Sequence, residues 1–208
     1  MQLNAIQPNK VEIQSKMRDE KKQKRQETIL LEALTLFTER GYFNTSVSDI
    51  QTAANLSVGT LYNYFKNKEA IAITLFSNIE NCLYENLCEI DKKFDNVYER
   101  CRAIVLHLFE TAERNPASMQ YMFYTKHREV MPVEKSVFTS LPFLKMQDLV
   151  QKGQYNGIIR DMDPYVAMVT LFGGPIRMIY LRIDGVLENP LPTYFEECWD
   201  CAWRGVKI

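Results

Sequence analysis

The 208 residues amount to about one and a half typical domains, and the 46% hydrophobic and 25% charged fractions are those of a globular protein with a real core. That balance excludes a disordered tail, a collagen-like chain and a disulfide scaffold, and the five cysteines, odd in number and without framework spacing, read as reduced thiols. The net charge of -1 hides an asymmetry: residues 1–70 carry ten Lys/Arg against eight Asp/Glu, residues 71–208 fifteen against eighteen.

Residues 1–17 read as an N-terminal extension, followed by a basic arm in which Lys16, Arg18, Lys21, Lys22, Lys24 and Arg25 crowd into ten positions against Asp19 and Glu20. On its own such a cluster is most often a solvated helix start, and it lacks the bulky apolar face of a membrane-surface helix. No proline occurs between Asn9 and Asn115, and only Gly41 and Gly59 interrupt that stretch, so it is expected to be helical nearly throughout. Helices are predicted near 18–40, 47–54, 58–65, 68–90, 95–114, 117–129, 134–153, 164–186 and 191–205. In the fifth, Val97, Cys101, Ile104, Val105, Leu108 and Ala112 recur on one face, and no stretch alternates with period two. The expected class is therefore all-α, with about nine helices.

The segment from Gly41 to Leu75 is the most informative. Arg40 and Gly41 close the first helix. Ser46 with Asp49 has capping-box spacing for the second, with Thr45 or Ser48 as alternative caps. Asn55 tolerates the positive φ that ends this short helix, and Ser57 caps a third helix soon after. Two short helices joined this tightly form a helix-turn-helix, whose second helix enters the DNA major groove. Gly59 and Thr60 keep the first turn of that helix small, Leu61 and Phe65 anchor its far face, and Tyr62, Tyr64, Lys66 and Lys68 supply donors suited to phosphate. A tyrosine alone is more often a packing residue; the combination is what points to nucleic acid. Asn67 is expected to cap the fourth helix.

The run TSVSDIQTAANLSVGTLYNYFKNKEAI resembles the signature of the TetR family of bacterial transcriptional regulators, with Ile71 where Leu is commoner and Asn55 where Gly is usual. The resemblance implies a helix-turn-helix DNA-binding domain over 18–67 and a ligand-binding and dimerisation domain over 68–208. It also implies that Ser57, Val58, Gly59, Thr60 and Asn63 face bases. Thr45, Tyr62, Tyr64 and Lys68 would grip phosphates, with Lys21, Lys22, Lys24 and Arg25 on the flanking backbone, Ser48 as an extra base contact and Ser46 close by. No Arg or Lys precedes Lys66 on the recognition helix, so the bidentate reading of guanine is absent and readout leans on hydroxyl contacts and DNA shape.

Such a unit works in pairs on a palindromic operator in double-stranded DNA. The two C-terminal helices are expected to form the homodimer seam, through Val166, Val169, Gly173 and Ile176 on one and Phe195, Cys198, Trp199 and Ala202 on the other, with intramolecular core as the alternative. Pro175 should kink the longer of the two. Met119, Tyr121, Met122, Phe123, Tyr124, Phe138, Phe143, Met146, Tyr155 and Phe172, with His107 and His127 as polar anchors, could line a pocket for an unidentified small apolar effector. Plain core is the competing reading of that stripe. Ligand binding would then relieve repression, transmitted through the 68–90 helix.

No cofactor, metal or enzyme activity is expected. Two histidines leave little for a metal site, Glu196 and Glu197 diverge on a helix, and Asp161 and Asp163 suit capping beside Pro164. There is no phosphate-binding Gly loop or nucleophile elbow. The alternative is a redox-responsive regulator or thiol oxidoreductase using Cys198 and Cys201, although a C-x-x-C late in a helix lacks the dipole that acidifies a thiol. The uncharged, largely apolar run of thirteen residues from Pro164 to Ile176 falls short of the roughly 18 that span a bilayer, and the N-terminus has no signal pattern, so the expected location is the cytoplasm.

Overall fold

A computed structural model describes residues 10–124 and 137–208. His127 and the expected helical residues 125–129 and 134–136 lie outside them. The described residues form nine helices and no strand; one isolated antiparallel bridge joins Ile159 and Lys207. The helices are α1 (Lys10–Arg40), α2 (Val47–Ala53), α3 (Val58–Tyr62), α4 (Lys68–Lys93), α5 (Val97–Arg114), α6 (Pro116–Tyr124), α7 (Leu141–Tyr155), α8 (Pro164–Ile183) and α9 (Phe195–Arg204). Short 3-10 turns precede α7 at Val137–Thr139 and α9 at Leu191–Tyr194. The chain divides into two compact units after Ile71. The first turn of α4 belongs to the first and the rest of the helix to the second, and α1 already begins at Lys10, inside the expected extension.

In the first unit, Ile29, Leu30, Ala33, Leu34, Leu36 and Phe37 of α1 supply one side of the core, which Ile50, Leu61, Phe65 and Ile71 complete. Each side chain of this kind removed from water contributes about 1.5–3 kcal/mol, enough to hold the short α2 and α3, which would not persist alone. Gly41 (φ 85) ends α1, its N–H donating to Phe37 O at 3.1 Å.

In the second unit α5 is the central helix: its predicted face, Val97, Cys101, Ile104, Val105, Leu108 and Ala112, is fully buried, joined by Phe109. Around it α7, α8 and α9 pack Met146, Leu149, Val150, Ala167, Met168, Leu171, Phe172, Ile179, Phe195 and Trp199. Asp163 caps α8 by accepting from the N–H groups of Tyr165 and Val166 at 2.8 and 3.2 Å, the role expected of an acid beside Pro164. Pro175 acts as expected in kind, though the break lies ahead of it: the chain opens into a π-helical turn over Val169–Gly173. Having no N–H, Pro175 cannot complete the ladder, and the wider turn moves the carbonyl its ring would strike. The 20 residues of α8 are long and apolar enough to cross a bilayer by length and composition alone. Arg182 is nonetheless held by Glu113 of α5, through Nε to Oε1 at 2.9 Å and Nη2 to Oε2 at 3.2 Å, and Leu171, Phe172 and Ile179 lie in the protein core.

Candidate nucleic-acid interface

Local hydrogen bonding fixes α2 and α3 in place. Ser46 and Asp49 form a complete capping box: the Ser46 N–H donates to Asp49 Oδ2 at 2.7 Å, and the Asp49 N–H donates to Ser46 Oγ at 3.1 Å. The Ser46 hydroxyl hydrogen bond holds the Asp49 carboxyl below its ordinary value. Asn55 has φ 51, the left-handed turn expected of it, and Gln51 Nε2 ties the bend by donating to Leu56 O at 2.6 Å. Ser57 caps α3, its Oγ accepting from the Thr60 N–H at 3.2 Å and lying 2.7 Å from the Thr60 hydroxyl. Asn67 Oδ1 caps α4 by accepting from the Ala70 N–H at 2.8 Å.

One face of α3 is left open by this arrangement. Leu61 and Phe65 are buried, whereas Ser57, Gly59, Tyr62 and Asn63 are exposed and Thr60 and Tyr64 half-buried. A methyl group added at Gly59 would meet no atom within 4 Å, so the backbone there is accessible to a large partner. Val58 occupies the first turn, between Ser57 and Gly59. On α1, Arg18, Lys21, Lys22 and Arg25 follow the i, i+3, i+4, i+7 spacing of one helix face and, with Lys16 and Lys24, are all exposed. Ser48 is exposed on α2 and its carbonyl accepts from the Thr52 hydroxyl at 2.8 Å.

Two residues expected at phosphates have inward-facing work instead. Thr45 is 1% exposed, and its hydroxyl donates to Gly41 O at 3.0 Å and Leu36 O at 3.3 Å. Lys68 directs its ammonium back into the unit, donating to Tyr42 O and Thr45 O, both at 2.9 Å, with Nζ 4.1 Å above the Tyr42 ring. A cation there satisfies carbonyls left by the end of α1 and the turn beyond it. Burial, with the Glu69 carboxylate nearby, pushes the Tyr42 hydroxyl up to about 12. Thr45 and Lys68 are therefore positioning residues, and the donors directed outward are those of α3 and the α1 stripe.

The comparisons agree with this geometry. Residues 29–75 match the profile described as bacterial regulatory proteins, tetR family. Over that segment the chain is similar to the tetR family. The regulator AcrR of Shigella flexneri is 32% identical over 114 residues, which cover 50% of this chain and 51% of that protein, so the chain spans about half the length of this curated relative. A TetR-family transcription regulator from Marinobacter aquaeolei VT8 has the same fold, with a TM-score of 0.80 at 20% identity over 91% of this chain and 98% of that one. The transcriptional regulator FadR from Bacillus subtilis, solved in complex with stearoyl-CoA, superposes with a TM-score of 0.70 at 20% identity, over 86% of this chain and 97% of that one.

In the second unit, a cavity of about 200 Å³ opens among α4, α5 and α6. Of the expected effector contacts it collects His107, Met119 and Met122. It does not collect Phe123, Phe138, Phe143, Met146 or Phe172. Met146 and Phe172 are 7% and 2% exposed within the core, Phe138 is 69% exposed and meets Phe143 edge-on at 5.5 Å, and Phe123 packs at 6.1 Å from Tyr180. Tyr121 is buried with its hydroxyl donating to Ala72 O at 3.0 Å, Tyr124 donates to Tyr180 O at 3.1 Å, and Tyr155 is exposed. The stripe was therefore largely core or surface. The cavity's polar lining, Asn78, Cys82, Asn86, Thr111, Asn115 and Ser118, went unnoticed because single polar residues on amphipathic helices carry no periodic signal. The Thr111 hydroxyl lies 3.4 Å from His107 Nε2. Burial, with the Arg114 charge close by, holds the imidazole below its ordinary value, so His107 is neutral at pH 7.

The proposed dimer helices divide. Phe195, Trp199 and Ala202 belong to the core of their own chain, whereas Val166 and Val169 are 53% and 69% exposed and Tyr165 stands beside them. An open groove of about 480 Å³ runs between α8 and α9 past Gly174, Cys198 and Cys201. Burial pushes the Cys198 thiol up to about 11, the wrong direction for a redox nucleophile.

Proposed function

We propose that this chain is a transcriptional regulator that binds a palindromic operator in duplex DNA as a homodimer and releases it when a small molecule occupies the cavity of the second unit. The observation that carries the reading is the α3 face. A five-residue helix is capped at Ser57 and pinned by Leu61 and Phe65 while Gly59, Tyr62 and Asn63 stand exposed. Ser57, Val58, Gly59, Thr60 and Asn63 would approach base edges. Tyr62, Tyr64 and the α1 stripe, with Ser46, would meet phosphates, which position the helix without reading sequence, and Ser48 would add a base contact. The matched family profile over 29–75 supports the same assignment.

One α3 grips too few phosphates for tight specific binding, so two must be linked, about one helical turn of DNA or roughly 34 Å apart, or a multiple of it. Val166, Val169 and Tyr165 on α8, beside the groove facing α9, offer the unpartnered apolar surface for that pairing. The cavity takes residues from α4, and that same unbroken helix runs into the DNA-binding unit. An effector that binds one dimer conformation better shifts the population toward it, and a coupling of about 1–3 kcal/mol changes DNA affinity about 5- to 150-fold. The cytoplasm, where the DNA is, is the proposed location.

Fluorescence anisotropy on duplexes captured from genomic DNA tests this reading. The logarithm of affinity should fall linearly with the logarithm of salt concentration, with a slope near -0.9 per phosphate neutralised. Binding that ignores salt, or that does not distinguish captured duplexes from random ones, would count against it.

A further inference from the structure

The cavity among α4, α5 and α6 is small. Its described lining contains no Asp, Glu, Lys or Arg. Two charges that act on His107, Glu110 and Arg114, face each other at 3.6 Å on α5. The polar groups that do line it are neutral: two amides on α4, Asn78 and Asn86, a third at the α5 end, Asn115, and the hydroxyl of Ser118 on α6. The side chains of Asn78, Asn115 and Ser118 make no hydrogen bond among the described residues, so their donors and acceptors are available to a guest. His107 stands on α5 with one nitrogen near Thr111. Met119 and Met122, both 2% exposed, supply an apolar, deformable floor, and exposed Asn78 and Cys82 mark the mouth.

Size narrows the guest further. An engineered apolar cavity of about 150 Å³ admits benzene, and pockets for drug-sized ligands begin near about 300 Å³. At about 200 Å³ this one lies between them. A long acyl chain does not fit. An anion would lose its hydration with no cation among the described lining residues to meet it, a cost a charged group avoids only when paired.

Building on the effector reading above, we propose that this cavity takes a small, uncharged, single-ring or fused bicyclic molecule bearing one or two hydrogen-bonding groups, such as a phenol, an aryl alcohol or an indole, and rejects carboxylates and long acyl thioesters. The ring lies against Met119 and Met122 and its polar substituent meets the amides and His107. Met side chains adapt to irregular aromatic outlines, with favourable sulfur–ring contacts, and unpaired amides give the orientation.

Calorimetric titration of the full chain with indole, phenol, benzyl alcohol, benzoate and stearoyl-CoA tests the class directly. At least one of the three neutral compounds should bind with one site per chain, and benzoate should bind at least tenfold more weakly than benzyl alcohol. Asn86→Leu and His107→Leu should each weaken the neutral compound about tenfold. Ser118→Trp, checked for retained helix content by circular dichroism, should abolish its binding by filling the space. If none of the three neutral compounds binds, or if benzoate or stearoyl-CoA binds as tightly as they do, the proposal is overturned; so too if Ser118→Trp folds and still binds. Operator affinity measured in the same samples separates the two readings. A neutral ring that binds and leaves DNA affinity unchanged upholds the ligand class and sinks the effector reading. Release of DNA by stearoyl-CoA alone does the reverse.

Discussion

Replacing Lys68 by Met separates a phosphate contact from a scaffold. In the structure its ammonium donates to Tyr42 O and Thr45 O, each at 2.9 Å, and covers the Tyr42 ring at 4.1 Å. A hydrogen bond from a charged group contributes about 1.5–3 kcal/mol, and a partly exposed cation–π contact about 0.5–1 kcal/mol. Lys68 is only half-buried, so water replaces part of what the two carbonyls lose. The net loss should then be about 2 kcal/mol, confined to the first unit, and about 2 kcal/mol is near a 30-fold change in an opening equilibrium. Native-state hydrogen exchange at the amides of Ile50 and Leu61 should therefore quicken about 30-fold, with amides of α5 unchanged. The decisive companion is the salt slope of DNA binding. A lost phosphate contact lowers its magnitude by about 0.9, whereas a lost scaffold leaves it where it was. Unchanged exchange at Ile50 and Leu61 together with a slope reduced by one phosphate would refute the scaffold role and restore Lys68 to the DNA surface.

Gly59→Ala should leave the first unit at least as stable, by up to about 0.5–1 kcal/mol, since Ala prefers helix to Gly and the added methyl meets nothing within 4 Å, yet it should weaken operator binding because the methyl sits where bases approach. Thermal melts and anisotropy on one sample check both halves, and a variant that binds the operator unchanged would remove Gly59 from the interface. Glu113 accepts from Arg182 and from the Leu191 N–H at 2.9 Å, and the Arg182 hydrogen bonds hold its carboxyl below the ordinary glutamate value. Because the folded value is the lower one, its contribution is present above the unfolded value and disappears as pH falls through the folded one. Glu113→Gln should cost about 1 kcal/mol after solvent screening and flatten the acid limb of the stability profile, as read from urea melts at pH 7 and pH 3. Alkylation followed by mass spectrometry should label exposed Cys82 and Cys201 first and buried Cys101 only on unfolding, and Cys198→Ser should leave DNA affinity unchanged under mild oxidant.

Legibility in the sequence followed punctuation. Ser46, Asn55, Ser57 and Asn67 each act through their nearest neighbours, so the limits of α2 and α3 and the start of α4 were readable to within a few residues. The buried face of α5 was equally plain, because a helix that turns one face to a core repeats its apolar positions along that face. Periodicity is silent about which core a residue joins. Phe172 and Met146 look like pocket residues and are packed away from the cavity, and Phe195 and Trp199 look like a seam and fill their own chain's interior. Thr45 and Lys68 were misread for a related reason: a hydroxyl and an ammonium suit phosphate, but they suit buried carbonyls equally well, and only the fold decides between them. α1 starts earlier than expected: residues 10–15 carry only Val11 and Ile13 as apolar residues, too few to mark a helix face.

The most direct test of the account is selection of duplexes from a random pool by the full chain, with hydroxyl-radical footprinting of the winners. Enrichment of an inverted repeat, protected on two half-sites about one helical turn or a multiple of it apart, is the predicted result. A pool that emerges without a common sequence, or a winning site protected over a single unrepeated half, would contradict the claim that α3 reads DNA twice in each assembled dimer.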